Sequence, residues 1–210
     1  MTSHGSVHGE FPLFELPLVV LPTEIVPLHI FEDRYKEMIA ECLRRDGEFG
    51  VVWLADGGLH EIGCACRVDR IVERFEDGRL NLLVKGTNRF RVLERRRRLT
   101  YPTGRVEFLA ADADRVAEEL RAGAQRAYIA LVRRATDREP SEAEVAAMDA
   151  YAMAATVDFG LEAKQGLLEL DSESRRLDLV TRLFRAATKR LDFVDRAQAR
   201  ARSNGKVRFS

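Results

Sequence analysis

Hydrophobic and polar positions follow two different patterns along the chain. From residue 11 to about residue 110, short apolar runs are separated by turn residues, a pattern typical of β-strands. From residue 111 to about residue 195, apolar residues recur every three or four positions, which predicts helices. The polar residues 1–10 are expected to form a disordered leader, and residues 196–210, with five basic and no acidic residues, a flexible tail. The pattern predicts an α+β protein.

Prolines and turn residues refine the β-rich part. Pro12, Pro17, Pro22 and Pro27 exclude a helix from this segment and confine its strands to short or edge positions. Residues 25–31 can form a short strand that leads into a helix over 32–45, ended by Gly47. The apolar residues of this helix have the spacing of one buried face: Tyr35, Met38, Ile39, Cys42 and Leu43. The other expected elements are a strand over 49–54, a long strand or bent pair over 60–75, a hairpin at Asp77-Gly78 and a second turn over 85–88.

In the helical part, polar residues mark where helices begin. Ser141 and Glu144 have the spacing of a capping box and should open one helix, with Val145, Met148 and Ala152 on its apolar face. A short helix is expected over 160–170, and Asp171 or Ser172 should cap a long final helix. We therefore expect a helical subdomain that begins near residues 109–113.

Charge and cysteine content narrow the class of protein. The 34 basic and 34 acidic residues balance, and they balance in each half, which argues against a nucleic-acid or anionic-membrane module. Three cysteines without a secretory signal do not suggest a disulfide framework. No run reaches the roughly 18 apolar residues of a membrane span. A soluble cytoplasmic protein is expected.

The sequence lacks the motifs of common catalytic sites. None of the five lysines is followed by serine or threonine, so there is no P-loop. There is also no Gly-x-Ser-x-Gly elbow and no His-Glu-x-x-His motif. The residues therefore predict a protein that is not an enzyme and that needs no cofactor.

Two residue clusters could form a metal site or a nucleic-acid contact, but each has a simpler structural explanation. His60, Cys64 and Cys66 include metal-ligand types, but two same-face cysteines on a strand lack the second ligand pair of a tetrahedral site, so no metal is expected. Arg95, Arg96, Arg97 and Arg98 are candidate nucleic-acid contacts. On a strand, alternate arginines point to opposite faces, so we favour the interpretation that they protect a sheet edge.

Four stretches in order resemble the Lon-protease N-terminal, substrate-binding domain family. They are Phe-Pro-Leu-Phe-Glu-Leu-Pro-Leu-Val-Val-Leu-Pro (11–22) with Val-Pro-Leu-His-Ile-Phe-Glu-Asp-Arg-Tyr (26–35), then Phe-Gly-Val-Val-Trp (49–53), Asp-Gly-Arg-Leu-Asn-Leu-Leu-Val-Lys-Gly-Thr-Asn-Arg-Phe-Arg-Val-Leu-Glu (77–94) and Lys-Gln-Gly-Leu-Leu-Glu-Leu-Asp-Ser-Glu-Ser-Arg-Arg-Leu (164–177). One departure is Gly63-Cys64-Ala65-Cys66, where the family more often has Gly-Thr or Gly-Cys; either fits a strand.

The resemblance implies a PUA-like pseudo-β-barrel with one helix over 11–110, followed by a helical bundle over 111–195. It also implies a binding module, without the ATPase and protease modules of full-length Lon, that recognises unfolded or damaged polypeptides or partner proteins. On this basis a stand-alone domain is expected.

The surface that would bind a polypeptide is less defined by the sequence. An apolar cleft between the β-rich part and the helices, with the proline-rich segment 12–27 as an open sheet edge, is our hypothesis. Candidate peptide contacts are Phe14, Leu28, Phe31, Tyr35 and Trp53, although Phe31 and Trp53 also fit a core. Two alternatives stay open: an RNA-binding PUA-like module, and an adaptor or oligomerising protein that docks on a separate protease or ATPase. A homo-oligomer is compatible with each of them.

Overall fold

The computed structural model describes residues 6–97, 99–110, 115–136 and 138–204. The strands are β1 (Val7–Leu16), β2 (Ile25–Ile30), β3 (Phe49–Ala55), β4 (Gly58–Leu59), β5 (Ile62–Arg74), β6 (Leu80–Arg96) and β7 (Thr103–Phe108). The helices are α1 (Asp33–Arg45), α2 (Glu118–Ala135), α3 (Glu142–Ala146), α4 (Ala150–Ala154), α5 (Leu161–Glu169) and α6 (Glu173–Asn204). The predicted α+β class is confirmed.

The chain forms two compact units. The β-rich unit comprises residues 1–113 and 154–171, and the helical unit comprises residues 114–153 and 172–210. The first boundary lies where the residue pattern changes, but α5 belongs to the β-rich unit, which differs from the expected continuous helical subdomain.

Three polar side chains attach α5 to the strands. Gln165 Nε2 donates to a carbonyl of β5 at 3.1 Å, and Arg89 Nη1 donates to the Leu168 carbonyl at 2.9 Å. Lys164 forms an ion pair with Glu24, and both side chains are largely buried. A helical period alone cannot reveal such attachments, because they join residues that are far apart in sequence.

Five strands of the β-rich unit close into a barrel. The order β1-β7-β6-β5-β3 returns to its start because β1 pairs with β7 on one side and, in parallel, with β3 on the other. The first part of the proline-rich segment, which forms β1, is therefore not a sheet edge. The expectation of an open edge there applies only to β2, which pairs with β6.

The barrel interior is filled by aromatic and aliphatic side chains. The core cluster consists of Phe11, Leu13, Val52, Ala65, Phe90 and Val106. Phe90 is fully buried, and its ring centroid lies 5.5 Å from that of Phe11. A Cβ atom added at Gly50 or Gly63 would lie 2.3 Å or 2.8 Å from Cζ of Phe90. These two glycines therefore leave the space that the Phe90 ring occupies.

The predicted turn over residues 85–88 is wrong, because β6 continues through it. Gly86 lies against the loop between β1 and β2: its N–H donates to the Glu24 carbonyl and its carbonyl accepts from Thr23 N–H, both at 2.9 Å. A Cβ atom at Gly86 would lie 2.1 Å from the Leu21 carbonyl oxygen. The glycine marks a close approach of two backbones rather than a chain reversal.

Capping side chains set the limits of the helices in the helical unit. The predicted capping box is present: Ser141 Oγ accepts from Glu144 N–H at 3.2 Å, and Glu144 Oε2 accepts from Ser141 N–H at 2.8 Å. The expected single helix is nevertheless split into α3 and α4, because the Asp149 carboxylate accepts from Ala152 N–H at 2.7 Å and starts a new helix.

Both ends of the described chain are more regular than expected. β1 already begins at Val7, which pairs with Glu107, so residues 7–10 differ from the expected disordered leader. Helix α6 continues to Asn204, into the expected flexible tail, because no proline or glycine interrupts it before Gly205. No helix among the described residues is both long and apolar enough to span a membrane.

Candidate functional site

The first half of β6 belongs to a part of the sheet that extends beyond the barrel. Residues 80–85 pair with β2 on one side and with residues 67–74 of β5 on the other. We call this three-stranded part, made of residues 25–30, 67–74 and 80–85, the sheet extension. Within the chain that the structure describes, β2 pairs with no strand other than β6, so its second edge is open.

Pro27 indicates which backbone groups point out of the open edge. A proline has no N–H to give to a ladder, so in a strand it stands where that direction faces away from the partner strand. Pro27 pairs with Leu83, and the next residues on the same side are Ile25 and His29. These two residues therefore direct their N–H and C=O groups away from β6, where a further strand can accept and donate hydrogen bonds.

Part of one face of the sheet extension is apolar and exposed to solvent. Leu80, Leu82 and Val84 are buried on the inner face. On the opposite face Ile25 is 52% exposed, and Phe31, directly after β2, is 59% exposed. We call part of this outer face the apolar strip: Ile25, Pro27, His29, Phe31, Phe75 and Leu83. Arg67, Arg70 and Lys85 lie on the same face but are not members of the strip.

A hydrogen-bonded row crosses all three strands beside the apolar strip. The His29 Nδ1 to Asn81 Oδ1 distance is 2.7 Å, and Asn81 Nδ2 donates to Glu73 Oε2 at 2.9 Å. Since the Asn81 amide nitrogen is used by Glu73, Nδ1 of His29 is the donor in the first bond. The His29 ring also stacks on Phe31 at 5.8 Å and meets Phe75 edge-on at 6.1 Å, so His29 fixes the orientation of both aromatic rings.

The predicted peptide contacts do not form one group. Phe31 is in the apolar strip, and Leu28 is half-buried on the inner face of β2. Phe14 and Tyr35 pack against each other in the interior with centroids 4.0 Å apart, and are only 4% and 3% exposed. Since they offer almost no surface to a ligand, we move the proposed contacts from Phe14 and Tyr35 to the apolar strip.

Trp53 is half-buried at the end of β3 and takes part in a separate arrangement. Its ring stacks on that of His60 with centroids 4.5 Å apart and an interplanar angle of 3°. His60 Nδ1 in turn lies 3.3 Å from Glu169 Oε1 of α5. Both residues therefore contribute to the attachment of α5 to the strands.

Sequence reasoning missed Ile25 as an exposed apolar residue, and Phe75 and Leu83 as half-buried ones on the same face. Each lies in or beside a predicted strand, where a residue pattern cannot tell the inner face from the outer one unless polar residues alternate with apolar ones. Pro27 is the residue from which this open strand edge could have been predicted, because a proline within a strand indicates an edge.

The arginine cluster is partly neutralised by neighbouring carboxylates. Arg96 pairs with Glu94 at 2.9 Å and donates to the Gly9 carbonyl at 3.1 Å. Arg105 on the adjacent strand lies 3.7 Å from the same glutamate. Arg95 and Arg97 are exposed, and Arg98 lies outside the described residues. These contacts agree with a solvated strand end and do not add support for a nucleic-acid surface.

The three cysteines are buried. Within the described ranges, no three His, Cys, Asp or Glu side chains are placed to hold a metal ion. The Cys64 hydrogen bond, followed by burial, raises the pKa of the Cys66 thiol well above its usual value. Burial raises the pKa of Cys42 to about 11. At neutral pH these two side chains are thus neutral thiols and poor nucleophiles.

Alkylation of Cys42 should be slow at neutral pH and strongly dependent on pH. Because the thiolate is the reacting species, the labelling rate of the folded protein by iodoacetamide should rise about tenfold per pH unit from pH 7 towards pH 11. The unfolded thiol loses its proton at lower pH than the folded one, so stability should fall as pH rises between about 9 and 11. Mass spectrometry of the labelled protein, with Cys42→Ser as the control, locates the reaction; rapid labelling of Cys42 at pH 7 would contradict this.

The closed barrel and the helices define a domain of mixed α+β type. The family model described as the ATP-dependent protease La (LON) substrate-binding domain matches residues 10–186. The chain therefore belongs to the family of LON substrate-binding domains, and the role of a substrate-binding module follows from that membership. The resemblance of the four sequence stretches is confirmed.

Relatives agree with this membership. A Lon protease from Paraburkholderia phytofirmans is 28% identical over 198 residues, which cover 85% of this chain and 25% of that protein. The chain thus spans about a quarter of that relative. The crystal structure of a Lon N-terminal domain protein from Xanthomonas campestris matches with a TM-score of 0.64 and 29% identity, covering 81% of this chain and 96% of that one.

A second solved structure supports the fold alone. The N-terminal domain of the Mycobacterium avium complex Lon protease matches with a TM-score of 0.63 at 18% identity, covering 83% of this chain and 97% of that one. The shared architecture at such low identity confirms the predicted barrel followed by helices.

Proposed function

We propose that this chain binds unfolded polypeptide segments as an added β-strand along the open edge of β2. The observation that carries the proposal is the combination of that edge with the exposed apolar strip directly beside it. Membership of a substrate-binding family supports a binding role without naming the ligand.

The two features would contribute different parts of the binding energy. Main-chain hydrogen bonds to the outward groups of Ile25 and His29 would hold any extended segment, whatever its sequence. Apolar side chains of that segment would remove Ile25 and Phe31 from water, at about 25 cal/mol for each Å² of apolar surface buried. A native protein rarely offers a free strand with exposed apolar residues, so unfolded chains would be preferred.

The apolar strip should make binding only weakly dependent on salt. Its members carry no permanent charge, and the charged residues on the same face are of both signs: Arg67, Arg70 and Lys85, and Glu73, which is bonded to Asn81. Ionic strength screens charge pairs but leaves apolar burial and main-chain hydrogen bonds largely unchanged. This property separates the proposal from an RNA-binding role, for which affinity falls steeply with salt.

Phe31→Ser should weaken binding of a permanently unfolded protein, such as reduced and carboxymethylated lactalbumin, by about tenfold, through lost apolar burial. The matched control is Phe193→Ser in α6, which changes another exposed phenylalanine, 73% exposed against 59%. Fluorescence titration of labelled lactalbumin gives the affinities. Equal binding of native lactalbumin, or equal effects of the two substitutions, would refute the role of the apolar strip.

The backbone edge is tested separately at His29. His29→Pro and His29→Ala both remove the ring and its bond to Asn81, but only the proline removes the outward N–H. Binding to the proline variant should be a further fivefold weaker, about the value of one hydrogen bond. Identical affinities of the two variants would contradict strand addition. Absence of any affinity of the unchanged protein for unfolded lactalbumin would also contradict it, and would favour the adaptor role.

A further inference from the structure

A cavity of about 520 Å³ lies between α1, the start of β1 and the loop that joins β6 to β7. Four glutamates contribute to its walls: Glu10, Glu37, Glu41 and Glu48. Pro12 and Leu99 supply apolar surface. The size is that of a small-ligand pocket, and none of the lining residues belongs to the sheet extension.

Tyr101 places a hydroxyl at this cavity. The residue is 7% exposed and lines the cavity, and no described residue forms a hydrogen bond with its hydroxyl. Among the described residues only Gln165 Oε1 is a buried side-chain oxygen or nitrogen without a partner, so the Tyr101 hydroxyl is accessible. After burial, Cys42 and Glu37 raise the pKa of this hydroxyl and Arg45 lowers it, and all three residues line the same cavity. An accessible hydroxyl without a protein partner can bond to a ligand in the cavity.

The carboxylates are not equally available to a ligand. Glu41 forms ion pairs with Arg44 and with Arg45, whose Nε lies 2.5 Å from Glu41 Oε1. Glu37 is fixed by the Thr100 hydroxyl, which donates to its Oε2 at 2.6 Å, and this bond leaves its negative charge in place. Arg96, although paired with Glu94, lies within electrostatic range of Glu10. Among the described residues, Glu37 and Glu48 form no ion pair.

We propose that this cavity binds a basic side chain, lysine or arginine, of an extended polypeptide. Glu37 and Glu48 would neutralise the cation, and the Tyr101 hydroxyl oxygen would accept one of its N–H groups. Pro12 and Leu99 would cover the methylene groups of the side chain, as apolar surfaces do for snorkelling cations. This site is independent of the β2 edge, so failure of strand addition leaves it untouched.

The test uses tripeptides too short to add a strand. Acetyl-Gly-Lys-Gly-amide and its arginine counterpart are titrated into the full chain, and binding is followed by two-dimensional NMR. Acetyl-Gly-norleucine-Gly-amide has the same apolar stem without the charge. We expect saturable binding of one or both basic peptides, weakening with added salt, and none of the norleucine peptide.

Variants locate the site. Tyr101→Phe removes only an unbonded hydroxyl, so the fold should be unchanged while affinity falls about fivefold. Glu37→Gln should reduce affinity about tenfold, because a charge-assisted bond is lost. The matched control Glu61→Gln changes an exposed glutamate outside the cavity lining and should leave affinity unchanged.

Three results with the peptides and variants would overturn the proposal. They are equal binding of the norleucine peptide, no saturable binding of either basic peptide at tens of millimolar, and equal effects of Glu37→Gln and Glu61→Gln. Calcium chloride is titrated in parallel. Saturation by calcium without binding of the basic peptides would assign the cavity to a metal ion and also overturn it.

Discussion

Gly86→Ala should destabilise the β-rich unit by about 3 kcal/mol, which is near the upper end of overpacking effects. The added Cβ would lie 2.1 Å from the Leu21 carbonyl oxygen and 3.1 Å from Cys64 Sγ. The first contact is with backbone that cannot rotate away, since Gly86 is hydrogen-bonded to the same loop through Thr23 and Glu24. Relief would require the loop to separate from β6. Urea unfolding monitored by Trp53 fluorescence measures the change.

Gly57→Ala is the matched control for this substitution. Gly57 lies in the turn between β3 and β4, where an added Cβ meets nothing within 4 Å. Its effect should stay within about 0.5 kcal/mol, as for surface substitutions in general. Similar stabilities of the two variants would show that the loop adapts, and would contradict a rigid contact between Leu21 and Gly86.

Phe90→Ala should destabilise the same unit by about 3–5 kcal/mol, the range for buried aromatic residues. Phe90 is fully buried at the centre of the barrel and packs against Phe11. Its removal opens a cavity between β3, β5 and β6 that the closed barrel cannot fill by bending. Denaturant unfolding gives the loss, and a value below about 1 kcal/mol would contradict the central position of this ring.

The two glycines beside Phe90 permit a sharper test. Gly50→Ala alone brings the new Cβ into the Phe90 ring, but in a Phe90→Ala background the main obstacle is gone. The double variant should therefore be more stable than the sum of the two losses predicts, by about 1 kcal/mol or more. Gly63→Ala is the control, since its Cβ would also lie 2.5 Å from the Val51 carbonyl oxygen, which remains. Equal coupling at both glycines would contradict this account.

Local signals in the sequence predicted local structure well. The apolar spacing of α1 identified Tyr35, Met38, Ile39 and Cys42, which are all buried, although Leu43 in the same pattern is 39% exposed. The Asp77-Gly78 hairpin is present, with Gly78 at φ 84° as its turn requires. These features depend on residues that are close in sequence, so their patterns carry the necessary information.

Features that join distant segments of the chain could not be predicted from the sequence. The parallel pairing of β1 with β3 brings Leu13 beside Gly50, and no residue pattern in either strand indicates this partner. The acidic cavity combines side chains from four separate stretches, between Glu10 and Tyr101. Gly86 was taken as a turn because a glycine signals backbone freedom and close approach alike, and only tertiary structure decides between them.

The closure of the barrel by β1 has a consequence for the order of events on the ribosome. His8 pairs with Val106, so β1 has to await a partner that is translated much later. At about 5–20 residues per second, that delay is roughly 5–20 s. During this interval β1, with its apolar Phe11 and Leu13, has no antiparallel neighbour, so we expect it to be a segment on which a chaperone acts.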